Sequence, residues 1–171
     1  MSKSVWNVPV LLADVPDTGL HLELEAPADV RVGLAELAGV RSLPELTASF
    51  EVTRRGAGLR VLGHITARVG QTCVVTLEPV ENAVEEDIDL LFLPGIAEPR
   101  AQGDTEDELP EPLVDDRVDL GVIATEFLVL GIDPYPRKPG AAFESPQTDT
   151  DAPHPFAALA ALKNNQGGSH S

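Results

Sequence analysis

ELTASFEVTRRGAGLRVLGHITARV, residues 45–69, decides the fold, because apolar and polar side chains alternate on both sides of a glycine-containing turn. The apolar set is Leu46, Ala48, Phe50 and Val52 before the turn and Leu59, Val61, Ile65, Ala67 and Val69 after it. A period of two residues is typical of half-buried strands. The glycines of RRGAG (54–58) can adopt the positive φ angles that tight hairpin turns need. The stretch therefore predicts an antiparallel β-hairpin.

Three further segments show strand patterns: TGLHLELEA (18–26), TCVVTLE (72–78) and AVEEDIDLLFL (83–93). VWNVPVLL (5–12) indicates another extended piece at a sheet edge, because Pro9 lacks a backbone N–H donor. Since consecutive strands are joined by short turns, the sequence predicts an antiparallel meander. In this meander, residues 72–78 form a strand between 59–69 and 83–93.

Two segments change to a helical period. In DVRVGLAELAGV (29–40) the apolar stripe is Val30, Leu34, Leu37 and Ala38, with Asp29 as N-cap and Gly39 just past the end. In the second helix the stripe is Leu120, Ile123, Ala124, Phe127 and Leu130, with Asp116 or Asp119 as N-cap and Pro134 as the stop.

Together these patterns predict an α+β fold, in which a mainly antiparallel, twisted sheet, able to close toward a barrel, is packed by two helices. We expect a single domain over residues 1–143. Residues 95–116 contain few apolar residues and many acids, which predicts a mobile acidic loop. Residues 144–171 are expected to be a mostly disordered tail with a short helix at 154–163.

The charge of the chain is concentrated in one region. The 171 residues carry a formal net charge of −16, and residues 78–119 contain fifteen acidic side chains against Arg100 and Arg117. The single cysteine, Cys73, excludes an intramolecular disulfide and a multi-thiol zinc site. No secretion signal and no apolar run of about 20 residues is present, so we expect a cytoplasmic protein that does not enter a membrane.

No motif indicates catalysis. The sequence has no glycine-rich phosphate loop and no nucleophile elbow, and its four histidines are scattered. Glu85, Asp87 and Asp89 alternate as on a solvated strand face. We therefore expect no enzymatic activity, no cofactor and no metal site. A hydrolase or metal enzyme that used these carboxylates would need a pocket that the sequence does not reveal.

A basic row is the first candidate binding feature. Arg60, His64 and Arg68 point the same way from one predicted strand, and Arg54 and Arg55 lie at the adjacent turn. If residues 72–78 form the next strand, the acidic row of 83–93 lies two strand spacings away, about 9.6 Å. Neutralisation would then be partial, and the row could bind RNA phosphates. The alternative is ordinary surface charge that pairs with the acidic row.

The segment DPYPRKPG (133–140) is the second candidate. Prolines fix φ around Tyr135, Arg137 and Lys138, which reduces the entropy that these side chains lose on binding. Tyr135 offers a stacking surface for a base and Arg137 a fork for phosphate. The alternative is a stiff helix exit, in which the tyrosine packs on the sheet and the basic side chains contact the acidic loop.

The chain contains, in this order, ITARVGQTCVVTLEPVENAVEEDIDLLFLP, VDLGVIATEFLVLGIDPYPRKPGAAF and the terminal HPFAALAALK. This order of elements resembles the YceD family, the large ribosomal RNA subunit accumulation proteins, and in particular its alphaproteobacterial branch. Many members have a Cys-x-x-Cys pair where this chain has Cys73 and Thr76, so a metal or redox role of that pair does not transfer. The terminal helix suggests protein-docking anchors at Phe156, Leu159 and Leu162. The alternative is that this helix covers the chain's own sheet.

The resemblance implies a non-catalytic role in ribosome biogenesis that supports accumulation of large-subunit (23S) ribosomal RNA. The predicted partner is this RNA or a pre-ribosomal particle, and the predicted RNA contacts are Arg54, Arg55, Arg60, Arg68, Tyr135, Arg137 and Lys138. The alternative is an acidic adaptor or chaperone whose loop 98–116 shields a basic ribosomal protein.

Overall fold

A computed structural model describes residues 5–95 and 110–144, and the chain divides into two compact units, Met1–Ala141 and Ala142–Ser171. The strands of the first unit are β1 Pro9–Leu11, β2 Leu20–Glu25, β3 Ser42–Arg55, β4 Gly58–Thr72, β5 Pro79–Leu93, β6 Glu111–Pro112 and β7 Arg117–Asp119. Its helices are α1 Ala28–Ala38 and α2 Leu120–Gly131, and a single 3-10 turn covers Leu12–Asp14.

Five strands form the main sheet, in the order β2-β3-β4-β5-β6. All its pairings are antiparallel except that of β5 with β6, and β1 and β7 form a separate antiparallel pair. Within the described residues β2 and β6 lie at opposite ends of the order, so the sheet is open and does not close into a barrel. The predicted α+β class with a mainly antiparallel sheet is confirmed.

The hairpin predicted from residues 45–69 is the centre of this sheet. β3 and β4 pair from Arg55↔Gly58 to Ser42↔Gly70, with a bulge between Ser42 and Glu45. The two-residue turn is Gly56–Ala57, and Gly56 has φ +57°, a left-handed conformation that favours glycine. The hairpin is longer than predicted at both of its open ends, because neighbouring strands supply partners that the local sequence does not reveal.

The prediction of a strand at residues 72–78 is wrong. β4 continues through Gly70 and Gln71 to Thr72, residues 73–78 form a turn, and β5 pairs directly with β4. Gln71 extends β4 because its buried side chain donates to the Asp133 carbonyl and accepts from Asn82. Cys73 then closes the turn, since its carbonyl accepts the Leu77 N–H at 3.0 Å. The acidic strand therefore lies next to the basic strand.

The core lies on one face of the sheet, where α2 packs against β4 and β5. Leu120, Ile123, Ala124 and Leu128 of α2 are buried. Asp119 is the N-cap, as predicted, because its side chain accepts from the N–H groups of Gly121 and Val122. Leu130, which was expected in the buried stripe, is 79% exposed, since it lies in the last turn of the helix beyond the core.

Helix α1 follows its predicted range with two corrections. It begins after Pro27, and Asp29 lies in its first turn without acting as the cap. Leu37 is exposed, whereas Leu34 and Ala35 are buried, so the buried stripe is narrower than predicted. Gly39 ends the helix in the left-handed conformation, as predicted.

Part of the predicted acidic loop is ordered. Glu111 and Pro112 pair in parallel with Phe92 and Leu93, and the following Leu113 is buried and donates its N–H to the Leu93 carbonyl. Burial of Leu113 and the pairing of Arg117–Asp119 with β1 stabilise the end of the segment, against the prediction of mobility up to residue 116. Residues 96–109 lie outside the described residues.

The predicted terminal helix 154–163, with Phe156, Leu159 and Leu162, also lies outside the described residues. Neither helix within residues 5–95 and 110–144 has the length and apolar character needed to cross a membrane.

Candidate binding surface on the open face of the sheet

The face of the sheet opposite the core carries a continuous array of polar side chains. Because successive side chains of a strand point to opposite faces, the burial pattern assigns one parity of each strand to the core and the other to this surface. We call this surface the open face. Its ionisable side chains are His21, Glu23, Glu25, Glu45, Glu51, Arg55, Arg60, His64, Arg68, Glu81, Glu85, Asp87 and Asp89.

The open face is acidic. It holds eight carboxylates against three guanidinium groups, and the carboxylates occur on β2, β3 and β5, whereas β4 carries none. Like charges on neighbouring strands raise the potential of a surface together. The open face therefore favours a cationic ligand over an anionic one.

Two of the three arginines are paired with carboxylates of β5. Arg60 donates two hydrogen bonds to Asp89, at 3.0 and 2.7 Å, and Arg68 forms an ion pair with Glu81. The hydrogen bonds from Arg60 lower the pKa of the Asp89 carboxyl below its ordinary value, against a smaller opposing effect of desolvation. Between these two pairs, His64 Nδ1 lies 2.7 Å from Asp87 Oδ1.

These pairs overturn the expected separation of the two charge rows. That expectation required residues 72–78 to stand between the rows, whereas β4 and β5 are adjacent, at about 4.8 Å. To bind phosphate, Arg60 and Arg68 must exchange a carboxylate partner for a phosphate partner. Their assignment to RNA binding stays a prediction, and the free basic row on which it was based is absent.

Arg54 and Arg55 have different surroundings. Arg54 Nε donates to the Val15 carbonyl at 2.6 Å, which fastens the end of β3 to the segment before β2. Arg55 is exposed at the hairpin turn and forms no ion pair within the described residues. Of the predicted basic residues at this end of the sheet, Arg55 is the one available to a ligand.

The proline-rich tip docks on the β4–β5 turn. The Val74 N–H donates to the Pro136 carbonyl at 2.9 Å, and Lys138 Nζ lies 2.9 Å from Glu78 Oε2. Their mutual hydrogen bond lowers the pKa of Glu78 and raises that of Lys138. Tyr135 is 71% exposed and does not pack on the sheet as the alternative interpretation expected. Lys138 thus contacts the β4–β5 turn.

The two groups of predicted RNA contacts do not form one patch. Arg54 and Arg55 lie before the start of β4, whereas Tyr135, Arg137 and Lys138 lie beside the turn that follows its end. β4 runs from Gly58 to Thr72, which corresponds to a separation of roughly 45 Å. A ligand that contacted both groups would have to extend along the whole strand.

Cys73 is a polarised site that the sequence pattern did not predict. Its side chain is buried, and its Sγ accepts the backbone N–H groups of Lys138 at 3.3 Å and Thr76 at 3.4 Å. The N–H of Lys138, followed by the contacts from Thr76, lowers the pKa of the thiol from 9.0 to about 6, although desolvation opposes the shift. The Cys-x-x-Thr spacing could have indicated the contact of Cys73 with Thr76. The contact with the N–H of Lys138 could not be predicted in this way, because Lys138 belongs to a distant segment.

Within the part of the chain that the structure describes, no group of three or more His, Cys, Asp or Glu side chains is arranged to hold a metal ion.

Comparison with known proteins gives one match. A family model described as large ribosomal RNA subunit accumulation protein YceD matches residues 61–163, which include most of β4 and all of β5 and α2. No match was found among curated proteins or among solved structures. The matched region contributes one half of the open face, including the ion pairs between β4 and β5.

Proposed function

Because the match covers more than half of its length, the chain belongs to the YceD family, and we propose that it is a non-catalytic factor in ribosome biogenesis. Its role is to support the accumulation of large-subunit ribosomal RNA, the role that the family name gives. It does so by binding a basic protein component of the pre-ribosomal particle. Large-subunit RNA then accumulates because a bound, correctly assembled particle is protected.

The observation that carries this mechanism is the charge of the open face. Eight carboxylates oppose three guanidinium groups, and Arg60 and Arg68 are engaged by carboxylates of the neighbouring strand. RNA phosphates would be repelled by the remaining carboxylates, whereas lysines and arginines of a protein partner would be attracted. The basic partner thus fits this surface better than RNA does.

A complementation experiment tests the proposal. The double variant Glu85→Lys/Asp87→Lys reverses two charges on the β5 side of the open face, and Asp17→Lys/Glu36→Lys makes the same change in total charge at exposed positions away from it. In cells that lack the protein, the first variant should fail to restore large-subunit ribosomal RNA relative to small-subunit RNA, and the second should restore it. Equal restoration by both variants would overturn the role of the open face.

Direct RNA binding is a second candidate, since a specific observation favours it. Arg55 and Arg137 are exposed and form no ion pair within the described residues, and Tyr135 presents most of its ring to solvent. The predicted set of Arg54, Arg55, Arg60, Arg68, Tyr135, Arg137 and Lys138 would then act with Arg55 and Arg137 as first contacts. The variant Arg55→Glu/Arg137→Glu should reduce the salt slope of RNA binding by about 1.4 if both contact a single strand. An unchanged slope in a gel-shift titration would remove this candidate.

The acidic segment 98–116 offers another way to hold a basic protein. Since Leu113 is buried and Glu111–Pro112 pair with β5, the informative deletion is confined to residues 98–108. If this segment is the main contact, the deletion abolishes partner binding. If the open face is the main contact, the deletion leaves most of the binding intact.

A further inference from the structure

Among residues 5–95 and 110–144, one edge of the main sheet is unpaired over most of its length. β5 pairs with β4 from Pro79 to Phe92, but its other edge pairs with β6 only at Phe92 and Leu93. The Leu113 N–H donates to the Leu93 carbonyl, so the backbone of Leu93 faces away from β4. Backbone directions alternate along a strand, and the odd-numbered residues of β5 therefore also direct N–H and C=O groups away from β4. Between Ala83 and Asp89 these groups have no backbone partner in the described ranges.

The side chains beside this edge differ on its two sides. On the open face, the odd-numbered residues include Glu85, Asp87 and Asp89. On the opposite side, a groove of about 470 Å³ lies between β5, β6 and α2. Its apolar lining includes Leu90 of β5 and Phe127 and Leu130 of α2.

A strand added at this edge would meet both surfaces. Its alternate side chains would point onto the open face and onto the opposite side of the sheet, because side chains of paired strands share faces. On that opposite side, the end of the added strand beside Leu90 would reach the apolar groove. The side chains on the open face would lie about 4.8 Å from the acidic row of β5. The chemistry of the ligand is therefore an extended segment in which basic residues alternate with apolar ones.

We propose that the free edge of β5, from Ala83 to Asp89, binds such a segment of a basic protein by strand addition. This inference rests on the proposed function and specifies how the basic partner is held. Main-chain hydrogen bonds supply affinity, and the alternation of side chains supplies specificity. A second copy of the chain is disfavoured, because edge-to-edge pairing would place two rows of carboxylates side by side.

Amide hydrogen exchange tests the proposal residue by residue. The probe is a synthetic peptide of about ten residues in which lysine alternates with valine, long enough to span the edge at about 3.3 Å per residue. On binding, the amides of Ala83, Glu85, Asp87 and Asp89 should exchange at about one tenth of their rate in the unbound chain, or more slowly still. The even-numbered amides between them already face β4 and should change little. A peptide of the same composition with all lysines at one end should bind more weakly and give no alternating protection.

Substitution of Ala83 provides an independent test of strand addition. Ala83→Pro removes an N–H that faces the free edge, where proline is tolerated, and keeps every charge of the open face. It should weaken peptide binding roughly tenfold, whereas Ala83→Val, which keeps the N–H, should bind as the unmodified protein does. If Ala83→Pro unfolds the chain, the amide exchange pattern of the unmodified protein still tests whether the peptide binds by strand addition.

The outcomes separate this inference from the function on which it rests. Peptide binding without protection of the odd-numbered amides, or no peptide binding, overturns strand addition. The proposed function would still stand if Glu85→Lys/Asp87→Lys fails in the complementation experiment. If that variant complements fully, the proposed function is overturned as well.

Discussion

Removal of the two paired arginines from β4 should strengthen the binding of a basic ligand. In Arg60→Gln/Arg68→Gln, Asp89 and Glu81 lose their cationic partners. A lysine on a strand added to β5 would lie two strand spacings from β4, about 9.6 Å. In water each arginine then repels the lysine nearest to it by about 0.4 kcal/mol before screening. At 0.01 M salt, the screened repulsion from the two arginines together is about 0.6 kcal/mol, so removing both gives a roughly threefold gain in affinity.

Fluorescence anisotropy with the alternating lysine and valine peptide measures this gain. At 0.15 M salt the gain should shrink to less than about twofold, because the Debye length falls to about 8 Å. The control Arg41→Gln/Arg137→Gln makes the same charge change near the far end of β4, roughly 20 Å from Glu85, and should give about a third of the free-energy gain. Since exposed ion pairs contribute at most about 1 kcal/mol each, both variants should stay folded. Unchanged or weaker peptide binding by Arg60→Gln/Arg68→Gln at low salt would refute the reasoning.

Three further predictions concern the framework of the surface. Asp119→Ala should lower the free energy of unfolding by about 3 kcal/mol in chemical denaturation. The reason is that one carboxylate oxygen of Asp119 accepts from the N–H groups of Gly121, Val122 and, at 2.8 Å, Val8. An equal loss in Asp119→Asn would contradict this explanation. Gly63→Ala should cost about 1–3 kcal/mol in thermal unfolding, because the new Cβ would lie 2.6 Å from Phe50 Cδ1, and no cost would show that the ring moves freely. The Cys73 thiolate should appear in ultraviolet titration near its pKa of about 6, below the ordinary 9.0. Because this pKa is lowered in the folded chain, the thiolate stabilises the fold fully above pH about 9 and loses this effect as the pH falls to about 6. Cys73→Ser should remove that pH dependence of the stability. Titration of the Cys73 thiol near pH 9 would contradict the lowered pKa.

The sequence predicted the parts of the fold that depend on local pattern. Alternation in residues 45–69 gave the central hairpin, and the short polar side chain of Asp119 gave the start of α2. The strand at residues 72–78 was predicted wrongly, because Cys-Val-Val-Thr has the composition of a strand. Its turn is held by distant groups, among them the Pro136 carbonyl and the Lys138 N–H. A local pattern contains no information about such contacts.

The error at this turn also decided the prediction of the site. The basic face of β4 and the acidic face of β5 were both identified from alternation, but their pairing depends on which strands are neighbours. With one strand too many between them, Arg60 was expected to be only partly neutralised, whereas it donates two hydrogen bonds to Asp89. The free edge of β5 also depends on a distant segment. β6 lies beyond residues 96–109 and pairs with β5 at only two residues, and burial of Leu113 sets its position.

Zero-length crosslinking in cells tests the central claim most directly, since carbodiimide joins carboxylates to lysine amines only where they touch. We expect that Glu85 and Asp87 become linked to lysines of a large-subunit ribosomal protein, and that Asp17 and Glu36 do not. No protein link at the open face, together with ultraviolet crosslinks that join Tyr135 to ribosomal RNA, would contradict binding of a basic protein to the open face.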